Sequence, residues 1–195
     1  MRKVVVNEWM TLDGVVQGPG YADEDTDGGF TNGGWHLQYF DDMSRNWVVD
    51  GYTSAGGFLL GRQTYENFAS YWPNAPDEER AVAKPLNSLP KYVATTTLEE
   101  PLEWENSMVL EGDVAQAVAA LKREDGGDLH VIGSPALVQT LIENELVDSY
   151  RLMIDPVVVG GGKQALPNDV QLNLELLDER RFGNSVVHLH YRTKT

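Results

Sequence analysis

Apolar positions along the chain fall into short blocks separated by intervals rich in Gly, Asp and Pro. Residues 3–10 are β-branched and apolar and predict a first strand. Residues 13–34, "DGVVQGPGYADEDTDGGFTNGG", predict a long loop, and irregular loops of that length commonly carry function. In 35–50 the spacing of Leu37, Phe40, Met43 and Trp47 predicts a helix. "GGFLLG" (56–61) reads as a short buried strand that passes into a helix over 62–71. "PNAPDEERAVAKPLNSLP" is a Pro-bounded excursion with a turn or two of helix, followed by strands at 91–97 and 108–110. "GDVAQAVAALKRE" predicts a helix with Asp113 as N-cap and Val114, Val118 and Leu121 on one face. A buried strand (129–133) leads to a helix with Ser134 at the N-cap and Pro135 at the first helical position. A strand over 148–159 breaks at Pro156 and runs into Gly160-Gly161-Gly162. Two strands, 171–181 and 185–193, close the chain, the second with Val187, Leu189 and Tyr191 alternating with His188 and His190 as in a half-exposed strand. Strands and helices alternate through the middle, which predicts an α/β domain with a mostly parallel central sheet and an antiparallel C-terminal strand pair.

The length of 195 residues suits a single domain over 1–195, and a hydrophobic fraction of 42% is enough for a core. No apolar run is long enough to cross a bilayer, and "MRKVVVNEWM" lacks the long apolar stretch and cleavage site of a signal peptide. The chain has no cysteine, which removes disulfides, thiolate metal sites and a Cys nucleophile. A soluble cytoplasmic protein is the expectation. The net charge of −15 argues against nucleic acid and anionic membranes as partners. An anionic ligand must then be held by a few cations and aligned backbone N–H groups.

Three strand-to-helix junctions offer such groups: Gly61-Arg62-Gln63-Thr64, Thr95-Thr96-Thr97 and Gly133-Ser134-Pro135. In open parallel sheets ligands bind at the carboxyl ends of strands. A helix N-terminus there presents unpaired N–H groups and partial positive charge, which suit phosphate. Glycine allows close approach, hydroxyls add donors, and the fork of an arginine matches phosphate oxygens. No nucleophile elbow or P-loop is present, so hydrolase and kinase readings find no support.

In their order, "FLLGRQTYENF", "KYVATTT" and "LHVIGSPALVQTLIENELVDSYRLMIDPVVVGGGKQALP", together with the opening "MTLDGVVQGPG", resemble the dihydrofolate reductase superfamily across nearly the whole chain. The resemblance is greatest to the reductase domain of the bifunctional riboflavin-biosynthesis deaminase–reductase and its stand-alone relatives. It implies a three-layer dihydrofolate-reductase-like fold, a homodimer, and an NADPH-dependent reductase of a small heterocycle. The specific activity implied is the pyrimidine reductase step of riboflavin biosynthesis. No zinc-binding deaminase half is present in the sequence. The resemblance assigns Arg62 to the adenosine 2′-phosphate and Thr64 to the pyrophosphate. Gly61 belongs to the same junction, Thr95, Thr96 and Thr97 to the adenosine side, and Gly133 and Ser134 to the pyrophosphate. Ser134-Pro135 stands where dihydrofolate reductases are richer in glycine, which favours the riboflavin-type branch.

Hydride transfer to C=N or C=O leaves an atom that must gain a proton, and a carboxyl group commonly supplies it. Asp13, in the turn after the first strand, is the candidate by resemblance; Asp41 and Asp42 are alternatives. Trp35 is a candidate wall of the substrate site, and Gly161 and Lys163 are candidates for holding substrate. His188 and His190 share a face at metal-ligand spacing, but no third ligand is evident and no metal is expected. Two other readings stay open: a nucleotide-binding protein of this fold without turnover, and a dihydrofolate reductase.

Overall fold

The computed structural model describes residues 1–194. The strands are β1 (Val4–Thr11), β2 (Gly57–Gly61), β3 (Lys91–Ala94), β4 (Ser107–Val109), β5 (Leu129–Ile132), β6 (Ser149–Asp155), β7 (Leu174–Arg181) and β8 (Val187–Thr193). They form one sheet in the order β4-β3-β2-β5-β1-β6-β8-β7. β1 to β6 pair in parallel, and β8 runs antiparallel to both β6 and β7. The five helices are α1 (Asp42–Ser54), α2 (Arg62–Tyr71), α3 (Arg80–Ser88), α4 (Val114–Arg123) and α5 (Pro135–Glu143).

Alternation along the central strands makes two cores. Leu59, Val6 and Val131 face one way and meet Val118 of α4 and Leu137, Val138 and Leu141 of α5. Phe58, Leu60 and Ile132 face the other way and meet Val48 and Tyr52 of α1, Tyr65 of α2, and Val82 and Leu86 of α3. The result is the expected α/β architecture of three layers, helix on sheet on helix.

The cleft follows from strand length. β5 has only four residues. It pairs with β1 as far as Asn7↔Ile132 and with β2 as far as Leu59↔Val131. Gly133 (φ 52°) and Ser134 (φ 65°) then take left-handed backbone and turn the chain away. β1 continues to Thr11 with β6 as its sole strand neighbour. From Glu8 onward, the side of β1 that faces β2 therefore has no strand beside it, and the sheet opens there.

Several expected elements differ. The helix expected over 35–50 begins at Asp42, after a 3-10 turn over Leu37–Tyr39. Asp41 takes extended backbone, and its carboxylate accepts the Ser44 N–H, which fixes the start. The buried face is then Ser44, Val48, Gly51 and Tyr52, while Leu37 and Met43 are exposed. Asp113 caps α4 as expected, accepting the Gln116 N–H. The strand expected over 91–97 stops at Ala94, and the one expected over 148–159 stops at Asp155. The excursion holds a nine-residue helix, α3, longer than expected, whose C-terminal carbonyls are bonded by the buried Lys91 ammonium. In β8, His188 is buried and packs on Trp47, while Val187 is partly exposed, so the histidine rather than the valine faces the core. Burial and the Arg151 cation lower the His188 pKa to about 3, so it is neutral.

Candidate active site

The opening in the sheet widens into a cleft of about 1240 Å³. Small-molecule sites usually hold roughly 300–1,000 Å³. The cleft stands at the upper end of that range or above it.

One side of the cleft is made by two helix N-termini. Gly61, Arg62 and Thr64 open α2, and Gly133, Ser134 and Pro135 open α5. Neither helix has a side-chain cap, whereas α1 and α4, whose first residues lie outside the cleft, are capped by Asp41 and Asp113. The first-turn N–H groups of α2 and α5, like those of α3, have no side-chain cap, and those of α2 and α5 lie at the cleft. Ser134 holds the N-cap position, but its hydroxyl does other work. It accepts the Gly61 N–H (2.8 Å), donates to Ile132 O (3.1 Å) and shares a hydrogen bond with the Thr64 hydroxyl (2.9 Å). These bonds clamp the ends of β2 and β5 together. The approach is close enough that a Cβ on Gly61 would stand 3.3 Å from Ser134 Cβ. Arg62 is half-exposed and pairs with Glu66 one helical turn on, at 2.8 Å.

The other side is built by β1 and the chain before α1. Glu8 lines the cleft with 2% of its surface exposed, and its Oε1 has no hydrogen-bond partner. Burial pushes its carboxyl up to about 8, so it carries its proton at neutral pH. Next to it in sequence, Trp9 stacks on His36 with centroids 4.3 Å apart. His36 Nδ1 is bonded to Asp155 Oδ2 at 2.7 Å, both side chains are sealed from solvent, and His36 Nε2 is unpartnered. Burial raises the Asp155 carboxyl, against the opposing pull of His36. Phe40, Val48 and Tyr52 complete this apolar, aromatic end.

Some expected residues lie elsewhere. Asp13 does not line the cleft. Its carboxylate accepts the Thr11 hydroxyl (2.5 Å) and the N–H groups of Gly160 (2.8 Å) and Val159 (3.3 Å). The Thr11 hydroxyl first, then these amides, hold its pKa below the usual value. There it is ionised and clamps the turn after β1 to the loop at Val159 and Gly160. Asp41 caps α1, and Asp42 lies outside the cleft as well. Trp35 is buried but not a cleft wall; its indole N–H donates to Gln17 O, and its neighbour His36 takes the wall. Thr95, Thr96 and Thr97 also lie off the cleft, in a turn that Thr95 Oγ1 closes by accepting from Thr97 and Leu98 N–H. Gly161 is exposed and off the wall, whereas Gly162 lines it. Lys163 does line the cleft, but its ammonium is occupied by Asp25 (2.6 Å), Asp27 (2.8 Å) and Gln63 Oε1 (3.2 Å). Burial works against that charge, yet the two carboxylates outweigh it and raise its pKa. Among the described residues no group of three or more His, Cys, Asp or Glu could hold a metal. No helix among them is long and apolar enough to cross a membrane.

Glu8 and the His36–Asp155 pair were not anticipated from the sequence. The available signal was a carboxylate inside "VVVNEWM", an ionisable residue in a strand apolar enough to be buried.

A mostly parallel sheet that opens between β1 and β2, with uncapped helices beside the opening, defines a dihydrofolate-reductase-like protein. The chain belongs to the RibD C-terminal domain family, whose profile it matches over residues 2–188. Two proteins of Bacillus subtilis (strain 168) are similar along almost their whole length. Uncharacterized protein YyaP is 31% identical, covering 97% of this chain and 94% of that protein. Uncharacterized protein YwjB is 28% identical, covering 97% of each. Three solved structures share the fold. A putative riboflavin biosynthesis protein from Shewanella sp. PV-4 has a TM-score of 0.68 at 16% identity, covering 99% of both chains. A pyrimidine reductase-like protein from Corynebacterium diphtheriae has 0.66 at 10% identity, covering 100% of this chain and 92% of that one. Dihydrofolate reductase from Enterococcus faecalis, complexed with NADP(H) and RAB-propyl, has 0.62 at 15%, covering 99% and 97%. Family membership supports a reductase of the riboflavin type.

Proposed function

We propose that this chain is an NADPH-dependent reductase of a small heterocycle. The observation that carries the reading is a single cleft with two uncapped helix N-termini on one side and a buried, protonated Glu8 on the other. The α2 and α5 first turns, with the Thr64 and Ser134 hydroxyls, would hold the pyrophosphate, and Arg62 the 2′-phosphate. The coenzyme supplies hydride. Glu8 supplies the proton: as the carbon of a substrate C=N bond gains hydride, the nitrogen takes the Glu8 proton, and the carboxylate is reprotonated from water. The His36–Asp155 pair holds Trp9 in place by stacking, and Trp9, Phe40 and Tyr52 exclude water from the reacting end. Glu8 argues against a nucleotide-binding protein without turnover, because it offers a proton donor inside the cleft. The pyrimidine reduction of riboflavin biosynthesis is the first activity to assay. Assembly as a homodimer is part of the proposal; Leu176 and Leu177 on the edge strand β7 are the exposed apolar surface that could serve it.

The test is titration of the protein with NADPH by fluorescence. Saturable binding at micromolar levels is expected. Absence of saturation at hundreds of micromolar removes the reading.

A further inference from the structure

Away from the cleft, the face of the sheet covered by α1 carries a row of basic side chains. Arg151 on β6 stands opposite His190 on β8, and His188 stands opposite Met153 in the same strand pair. His130 on β5 pairs with Val5 of β1 and Phe58 of β2. Phe58 and Met153 belong to the core that includes Val48 and Tyr52 of α1, which puts all four basic groups on that face. His130 and His188 are buried. His188 Nδ1 and Nε2, His130 Nδ1 and His190 Nε2 have no hydrogen-bond partner.

Helix α1 closes over this row. The Trp47 ring is 3.9 Å from the His188 ring and 3.8 Å from the Arg151 guanidinium carbon. Gly51, one turn on, leaves the room the guanidinium fills, since a Cβ there would collide with Arg151 Nη1. Among the described residues no carboxylate pairs with Arg151. Asp50 on α1 and Asp178 on β7 act on it from a distance, and Asp178 pairs with Arg180 at 3.0 Å. Tyr52 also faces Arg151, and burial keeps its hydroxyl protonated. The same helix has a second face, where Arg45, Val48 and Tyr52 line the cleft. One element thus covers the basic row and walls the aromatic end of the cleft.

Burial first, and then the Arg151 cation, hold His188 down to about 3 and His130 to about 4, and lower His190 in the same way. Asp178 pulls His188 and His190 upward, Asp128 does the same for His130, and Arg180 adds to the lowering of His188. The three rings are therefore neutral at pH 7 beneath the docked helix, whereas an exposed histidine takes a proton at about pH 6.5. The docked state binds fewer protons than an opened one, so its advantage shrinks as pH falls below about 6.5.

We propose that α1 is an acid-released wall: protons taken up by His130, His188 and His190 beside Arg151 lift the helix from β6 and β8 and withdraw Val48 and Tyr52 from the cleft, whose aromatic end is assembled at neutral pH and dismantled in mild acid. The device stands whether or not the cleft belongs to a reductase.

The test is amide hydrogen exchange of the full chain at pH 7, 6 and 5, each rate corrected for its intrinsic pH dependence. From pH 7 to 5 the protection of residues 42–54 is expected to fall by more than about tenfold, and to end below that of α4 and α5. Protection of α1 that does not change with pH overturns the proposal. So does equal protection of α1, α4 and α5 at pH 5, because the whole fold then loosens together. His188→Phe keeps a ring against Trp47 and cannot titrate, and it should reduce the pH effect on α1 by about tenfold. An unchanged pH effect in that variant removes His188 from the device and overturns it as stated. Imidazole nitrogen NMR of the native chain needs no substitution: the His130 and His188 rings should stay neutral at pH 5 in the docked state, and titration of both at about pH 6.5 with α1 still protected overturns the proposal.

Discussion

His36 Nδ1 and Asp155 Oδ2 stand 2.7 Å apart with neither side chain exposed. One comes from the chain before α1 and the other from the last residue of β6. The bond joins the loop wall of the cleft to the sheet, and it also sets the plane of His36 on which Trp9 stacks. Removing one partner of a buried pair leaves a polar group without compensation, at about 3–5 kcal/mol. Asp155→Ala should therefore lower the melting temperature by about 10 °C in a chain of this length. Differential scanning calorimetry checks this, and a change of under about 2 °C would show that the pair is not structural.

Glu8→Gln keeps shape and hydrogen bonding but has no proton to give. Turnover should fall by about 10²–10⁴-fold while NADPH affinity stays unchanged. In the native protein kcat should be level at neutral pH and decline above about 8, where the Glu8 carboxyl ionises. The variant should lose that decline. A pH–rate profile read beside a coenzyme titration separates these outcomes.

The same residue has a consequence for stability. Burial raises its folded pKa to about 8, from about 4.5 for an ordinary glutamate. Between those values the folded state holds a proton that the unfolded state has released, so stability falls as pH rises through the window. Below it the effect is absent. Glu8→Gln should thus gain stability over the native chain as pH goes from 5 to 9. Denaturant melts of both proteins across that range measure it; parallel curves would refute a protonated Glu8.

Arg62 is half-exposed, and its pairing with Glu66 is an i,i+4 surface contact of small energy. It is free to exchange that partner for a phosphate. Arg62→Ala should weaken NADPH by about 10–100-fold and NADH by far less. Equal losses for the two coenzymes would place the 2′-phosphate elsewhere.

Asp13 clamps the turn after β1 to Val159 and Gly160. Asp13→Asn should cost stability chiefly above pH 4, because the lowered pKa makes the native bonding strongest when the carboxylate is ionised and lost as pH falls through the folded value. kcat should stay within about tenfold of native, unlike Glu8→Gln. A loss as large as that of Glu8→Gln would restore Asp13 as the acid.

The sheet, its junctions and the order of elements were legible because short apolar runs ending in Gly and helix-start residues report backbone geometry directly. Of the residues these junctions single out, Gly61, Arg62, Thr64, Gly133 and Ser134 line the cleft. The burial of Glu8 was not legible, for a physical reason. Whether Glu8 is a solvated or a buried carboxyl depends on where β5 ends, and that is a property of a strand more than a hundred residues away. Asp13 looked eligible because Asp-Gly turns and acids beside an active site are the same letters. Lys163 looked available because sequence cannot show Asp25 and Asp27 folding back onto it. Helix α1 was misplaced for a similar reason: Asp41, read as a possible acid, is the residue that starts it.

β5 stops after four residues, where Gly133 and Ser134 bend the chain aside. The gap is therefore a missing rung in the hydrogen-bonded ladder, set by chain length and two backbone angles. Replacing side chains around it alters what the gap admits while leaving its backbone outline in place. An insertion that prolonged this one strand would instead fill the opening itself.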